Sequence, residues 1–276
     1  MNIKQLVKWS TLMISVLLTV AVGLTGCGGG GGNVTTITMA GSTTVQPLAQ
    51  ALADDFTSNR TDVEITVAGG GSSVGVSSAA AGTVDIGMAS RELKQSEKTL
   101  GLVEHVIGRD AIVIVCSASF AGNVTGLTTN QTRDIFSGNI TNWAEVGGGN
   151  VAIQVYAREE GSGTRAAFEE IVMKGANITG DALLFPSNGA LRTAVAGDPT
   201  GVGFLSMGYL DSSISAFDID GVEATLANAK NGTYPVIRPL LFLTLGAPTG
   251  KVAEFINFCL GPVGQAIVAI DWIPVI

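Results

Sequence analysis

Arg158-Glu159-Glu160-Gly161-Ser162-Gly163-Thr164-Arg165 joins two unlike patterns. Before it, Val151-Ala152-Ile153-Gln154-Val155-Tyr156 reads as a strand; after it, Ala166 to Met173 reads as a helix with Phe168, Ile171 and Val172 on one face. A turn of small residues between strand and helix leaves the first helical N–H groups without partners inside the helix. Those groups, and the positive end of the helix, attract an anion. Ser162 and Thr164 add hydroxyl donors, while Arg158 and Arg165 add permanent charge in planar forks that suit oxyanions. The stretch predicts half of a tetrahedral-oxyanion site, with other Gly-Ser/Thr turns supplying the rest.

Working outward, the same theme recurs. Ile37 to Ala40 reads as a strand, Gly41-Ser42-Thr43-Thr44 as a turn, and Val45 to Phe56 as a helix with Pro47 in its first turn. Val63 to Val67 alternates as a strand, runs into Gly69-Gly70-Gly71-Ser72-Ser73, and is followed by a helix over Val74 to Ala81. Val84 to Met88 is a further strand, closed by Ala89-Ser90-Arg91-Glu92. His105 to Cys116 holds a long strand. Later come helices at Asn130 to Phe136 and Leu191 to Ala196, the turn Asn139 to Trp143, and a strand at Gly201 to Leu205. Strand, polar turn and helix in alternation predict an α/β fold with functional turns at the carboxyl ends of strands. Tyr234 to Leu240 reads as an extended crossover into the strand Leu241 to Leu245, followed by a helix at Lys251 to Leu260. This second crossing predicts two α/β lobes joined by a hinge, with a ligand cleft between them. Lobe 1 covers about residues 36–115 and 235–276, and lobe 2 about 116–234.

The chain has 276 residues, 37 of them glycine, which favours many turns over a helical bundle. Net charge is −8; Lys4 and Lys8 are the only charges before Cys27, so the part from Cys27 onward carries −10, two positive charges fewer. That excludes a nucleic-acid partner, which wants a basic face. It also means that any anion site works through short-range, dehydrated hydrogen bonds. Residues 1–26 read as a signal peptide: Lys4 and Lys8, then the apolar run Leu12 to Leu24, shorter than the roughly 20 residues of a bilayer span. Leu24-Thr25-Gly26-Cys27 resembles the lipobox of bacterial lipoproteins. That resemblance implies acylation of Cys27 with palmitate or a similar chain, residues 27–35 as a Gly-rich tether, and a lipid-anchored protein on the extracytoplasmic side of a membrane. Cys116 and Cys259 sit in apolar surroundings and read as buried thiols, though an exported protein could pair them. One histidine and no CxxC argue against a metal site.

Ser and Thr at helix starts most often serve as N-caps. Three such turns, each after a strand and one beside Arg158, shift the balance toward a ligand. Arg91 is a further candidate contact. Gly71-Ser72-Ser73-Val74-Gly75 also fits the nucleophile elbow of serine hydrolases, with Ser73 as nucleophile. However, His105 is the sole candidate base and most of the chain follows it. No enzyme is expected. An adhesive surface lipoprotein without a ligand is the bland alternative.

Taken together and in order, five motifs resemble the PstS family, the phosphate-binding subunits of high-affinity phosphate ABC importers. They are Gly41-Ser42-Thr43-Thr44-Val45-Gln46-Pro47-Leu48, Gly70 to Gly75, Asp85 to Arg91, Asn139 to Trp143 and Arg158 to Arg165. The similarity runs from about Ile37 to Ile276. It implies a type II periplasmic-binding-protein fold, capture of inorganic phosphate between lobes, delivery to a membrane permease, and a monomer. Carried over by motif, the contacts are Thr43 and Thr44, then Ser72, then Arg158, Ser162, Gly163 and Thr164, with Ser42 and Ser73 adjoining. In the better-known branch of the family, an aspartate follows the Ala-Ser pair, accepts a hydrogen bond from protonated phosphate and rejects sulfate; Arg91 stands there in this chain. The acceptor then comes from Asp85, Glu92, Glu159 or Asp110, or selectivity is weaker, leaving sulfate or molybdate as alternative ligands.

Overall fold

The computed structural model describes residues Val34–Ile276. The signal peptide, Cys27 and the tether up to Asn33 lie outside the described residues. The first half runs β1 (Thr35–Gly41), α1 (Gln46–Thr57), β2 (Val63–Ala68), α2 (Ser72–Ala80), β3 (Ile86–Ala89) and β4 (Leu102–Ser117). The middle runs β5 (Gly126–Leu127), α3 (Thr129–Ser137), β6 (Gln154–Arg158), α4 (Gly163–Phe168), β7 (Leu183–Phe185) and α5 (Asn188–Ala196). The rest is β8 (Gly201–Ser206), β9 (Ile214–Ala216), β10 (Asp218–Ile219), α6 (Leu226–Lys230), β11 (Ile237–Leu245), α7 (Gly250–Leu260) and α8 (Pro262–Asp271).

The strands order as β2-β1-β3-β11-β4-β8-β6-β7, with β9 also on β4 and β5 paired separately with β10. β1 is parallel to β2 and β3, and β6 is parallel to β7 and β8. β4 and β11 run antiparallel through the middle. Parallel neighbours joined through helices place successive strand-end turns at the same edge of a sheet.

Two main cores form around this arrangement. One draws on residues between Ala111 and Val236, with Trp143, Phe168 and Phe204 fully buried. The other draws on Ile37 to Ile107 and Leu240 to Trp272. On β11, Leu240 and Phe242 enter that second core while Leu241 and Leu243 pack with Val76 and Ala79 of α2. This two-residue alternation is that of a strand covered on both faces. Cys116 lies in the first core and Cys259 in the second, and both are free thiols.

Local departures from the expected elements cluster at the opening stretch. The strand there starts later, at Gln154, and ends on Arg158. The following helix is not continuous: α4 gives way at Glu169–Met173 to a π-helical turn that ends on Lys174 in the left-handed region, φ 48°. Gly41, at φ 137°, is required by close approach as well as by conformation; a Cβ there would sit 2.7 Å from Gly75 Cα.

Candidate functional site

Four helix starts converge. Thr44 lies just before α1, Ser72 opens α2, Gly163 and Thr164 open α4, and Asn188 opens α5. Their side chains meet in one buried cluster. Thr44 Oγ1 is 3.1 Å from Thr164 Oγ1 and accepts from Asn188 Nδ2 at 2.8 Å. Ser42 Oγ donates to Ser90 Oγ at 2.9 Å, and Ser72 Oγ accepts from the Ser90 N–H at 3.1 Å. Gly163 comes so close to Ser72 and Ser90 that a Cβ would lie 2.6 Å from Ser90 Oγ. Helix N-termini aimed together in this way favour negative charge.

Two guanidiniums border the cluster, each about 2% exposed. Arg158, at the end of β6, donates from Nε to Phe185 O at 3.1 Å and from Nη2 to Pro186 O at 2.8 Å and Thr43 Oγ1 at 3.3 Å. Its buried Nη1 has no hydrogen-bond partner among the described residues. Burial and the nearby charge of Arg238 push its pKa down to about 10, which leaves it cationic at neutral pH. Arg238, on β11, faces its cross-strand partner Asp110 on β4, with Nη2 to Oδ2 at 2.8 Å and Nε to Oδ2 at 3.1 Å. Its Nη1 reaches Ser90 O at 3.3 Å and its Nη2 reaches Thr44 Oγ1 at 3.2 Å. Burial pushes the Asp110 carboxyl up and the Arg238 guanidinium down, while their mutual attraction and hydrogen bonds oppose both shifts. Two buried guanidiniums against one buried carboxylate leave one positive charge uncompensated. An orphaned buried N–H group is costly unless a partner arrives.

The structure thus brings Ser42, Thr43, Thr44, Ser72, Arg158, Gly163 and Thr164 to one place. Two of the hydroxyls also cap helices, as such residues commonly do: Ser42 Oγ accepts from the Thr44 and Val45 N–H groups, and Ser162 Oγ from the Arg165 N–H. Ser162 is buried but lines a surface pocket with Arg165. Ser73 and Arg91 fall outside the cluster. The Ser73 N–H donates to Gly161 O at 3.1 Å, and both residues line a surface pocket of about 610 Å³ with Lys94, Glu160 and Arg165. Arg91 is a correction to the expected contacts: both Nη atoms grip the Glu97 carboxylate, at 2.6 and 2.8 Å, and Nη1 also donates to Glu92 O. Its fork is therefore filled by its own loop. A nucleophilic Ser73 gains no base either, since His105 pairs with Thr244 Oγ1 at 3.0 Å.

Ser90, Asn188, Arg238 and Asp110 are the parts of the cluster that motif reading left out of the contact set. One signal pointed to the last two. Asp110 precedes the apolar run Ala111 to Cys116, and Arg238 stands in the mostly apolar β11, so two opposite charges occupy strands that read as core. Buried charges of that kind are paired or serve a site.

Residues 29–263 match the family model of the PBP superfamily domain. The phosphate-binding protein PstS of Bacillus subtilis is 31% identical over 225 residues, covering 80% of this chain and 74% of that one. A crystal structure from Clostridium perfringens, assigned as a phosphate ABC transporter substrate-binding protein and holding bound phosphate, superposes with a TM-score of 0.83. It shares 40% identity and covers 88% of this chain and 100% of its own. An ABC-type phosphate transport receptor from Vibrio cholerae gives a TM-score of 0.74 at 32% identity, covering 87% and 100%. The chain belongs to the PBP superfamily and, within it, to the PstS-type phosphate-binding proteins, with the α/β periplasmic-binding-protein fold expected from its motifs.

Proposed function

We propose that this protein captures inorganic phosphate outside the cytoplasm and hands it to the permease of an ABC importer, with no chemical step. The observation that carries this reading is the uncompensated buried charge: Arg158 and Arg238 face one buried carboxylate, Asp110, and Arg158 Nη1 is buried with no hydrogen-bond partner among the described residues, on a guanidinium whose Nη2 reaches Thr43 Oγ1. A tetrahedral anion supplies the missing charge and accepts from that N–H. Ser72, Ser90, Thr164 and Asn188 would bind it alongside the two guanidiniums, with Thr44 orienting the Thr164 hydroxyl, and Gly163 lets the α4 backbone come close. The strands β4 and β11 act as the hinge between two lobes built on the two cores, so capture is closure around the anion. Cys27 carries the lipid anchor that keeps the protein at the membrane near its permease; the relatives' names support the importer role, and the lipobox supports the anchor.

Calorimetric titration with inorganic phosphate tests the reading. A single site with Kd near micromolar, about −8 kcal/mol, is expected. Phosphate at 100 times Kd should also add about 2.7 kcal/mol to folding stability and raise the melting temperature. No heat and no melting shift would overturn it.

A further inference from the structure

Pro47 leaves the Thr43 carbonyl without a backbone partner. The helical ladder runs on either side of it: the Gln46 N–H donates to Ser42 O at 3.0 Å, and the Ala49 N–H to Val45 O at 2.8 Å. The N–H due at Thr43 O belongs to residue 47, and proline has none. The gap is filled from far along the chain. Tyr209 Oη, 166 positions away, donates to Thr43 O at 2.7 Å. Tyr209 ends a short helical turn after β8, Met207–Tyr209, and packs against the first core. Its ring borders the start of α5, where a Cβ on Gly189 would lie 3.9 Å from Tyr209 Cε1. Burial pushes its phenol up, so it stays protonated and donates. Thr43 sits between β1 and α1, whose Met39, Val45 and Leu48 belong to the second core. The bond thus joins elements of one core to elements of the other. Other side chains cross the same way, but they belong to the set that would bind the anion. Arg158 Nη2 reaches Thr43 Oγ1, while Asn188 Nδ2 and Thr164 Oγ1 meet Thr44 Oγ1. Tyr209 instead spends its single hydrogen on a carbonyl, so none is left for an anion. It acts through the backbone that carries Thr43 and Thr44.

We infer that Tyr209 is a positioning residue for phosphate capture: its hydroxyl fills the gap that Pro47 leaves at Thr43 O, holds the lobes shut on the anion and slows its release. The inference rests on the phosphate-binding reading above and deepens it. With the lobes apart, water serves Thr43 O; with them closed, the phenol takes over. The cost of losing the phenol therefore falls on the closed form.

The test is Tyr209→Phe, which keeps the ring and removes the hydroxyl. Calorimetric and stopped-flow titrations with inorganic phosphate are run on the full chain, freed of bound phosphate. Affinity is expected to fall by about tenfold, as when a buried acceptor loses its donor, with the change in koff rather than kon. The melting temperature without phosphate should match that of the wild-type protein. Wild-type affinity in the variant would overturn the inference and leave phosphate capture standing. So would a loss carried by kon, or one that tracks a lower phosphate-free melting temperature and so marks a structural role. A wild-type protein that binds no phosphate removes both readings. A second variant checks the carbonyl itself. Pro47→Ala restores an N–H at the position due to bond Thr43 O. Combined with Tyr209→Phe, it should recover part of the lost affinity. No recovery would place the loss elsewhere and overturn the role given to Thr43 O.

Discussion

Thr44 and Thr164 stand 120 positions apart in the chain, yet their hydroxyl oxygens lie 3.1 Å from each other. Thr44 Oγ1 already accepts from Asn188 and Arg238, so its own hydrogen points toward Thr164. Thr164 is left with its hydrogen to offer. One contact thus ties the turn after β1 to the turn after β6, and it orients a donor chain that starts at a buried guanidinium.

Arg158→Lys keeps the charge and loses the fork. Nη1 disappears, and so do the paired bonds to Pro186 O and Thr43 Oγ1. Phosphate affinity should fall by more than tenfold, about 1.4 kcal/mol, in a calorimetric titration. Wild-type affinity would remove Arg158 from the site.

Gly163→Ala should act on closure rather than on folding. The new methyl would crowd Ser90 Oγ, 2.6 Å away, and Ser72 across the cluster. Phosphate binding should weaken by at least tenfold, while the melting temperature without phosphate changes little. Phosphate affinity equal to that of the wild-type protein would contradict the close approach.

Asp110→Ala strands Arg238 in the interior. Breaking a buried ion pair from one side costs about 3–5 kcal/mol, and Ser206 Oγ also loses its partner. Urea unfolding should register a loss of that size. The double variant Asp110→Asn with Arg238→Gln should recover part of it, because neither side chain then carries a buried charge.

His105 gives the stability a pH dependence. It is the single histidine of the chain, and burial holds its pKa below the ordinary value. Protonation therefore favours the unfolded chain, whose histidine titrates near 6.5. The contribution is fully present above about pH 6.5 and is lost as pH falls through that value toward the lower folded pKa. Melting temperature should drop between pH 7 and pH 5, and drop less in His105→Gln. Parallel curves for the two proteins would rule this out.

The strand-turn-helix units were legible because each is written in a short stretch. Alternation in Val63 to Val67, the glycines before Ser72 and the helical spacing of Leu48, Leu52 and Phe56 are local signals, and the elements formed there. The Arg238–Asp110 pair was not legible as a contact, because it depends on a strand pairing across 128 positions. Arg91 shows the opposite failure. It sits in the right motif, but Glu97, six residues on, satisfies its fork. The π-helical turn after α4 left no trace in the hydrophobic spacing of Phe168, Ile171 and Val172.

β4 pairs with β11 from Leu102 to Ala111, and then with β8 from Ile112 to Val115. A single ribbon thus contributes to both main cores. Neither core can melt alone without tearing bonds from that ribbon. Urea should produce one sigmoidal transition, and the amides of Ala111 to Val115 should be among the slowest to exchange in deuterated water.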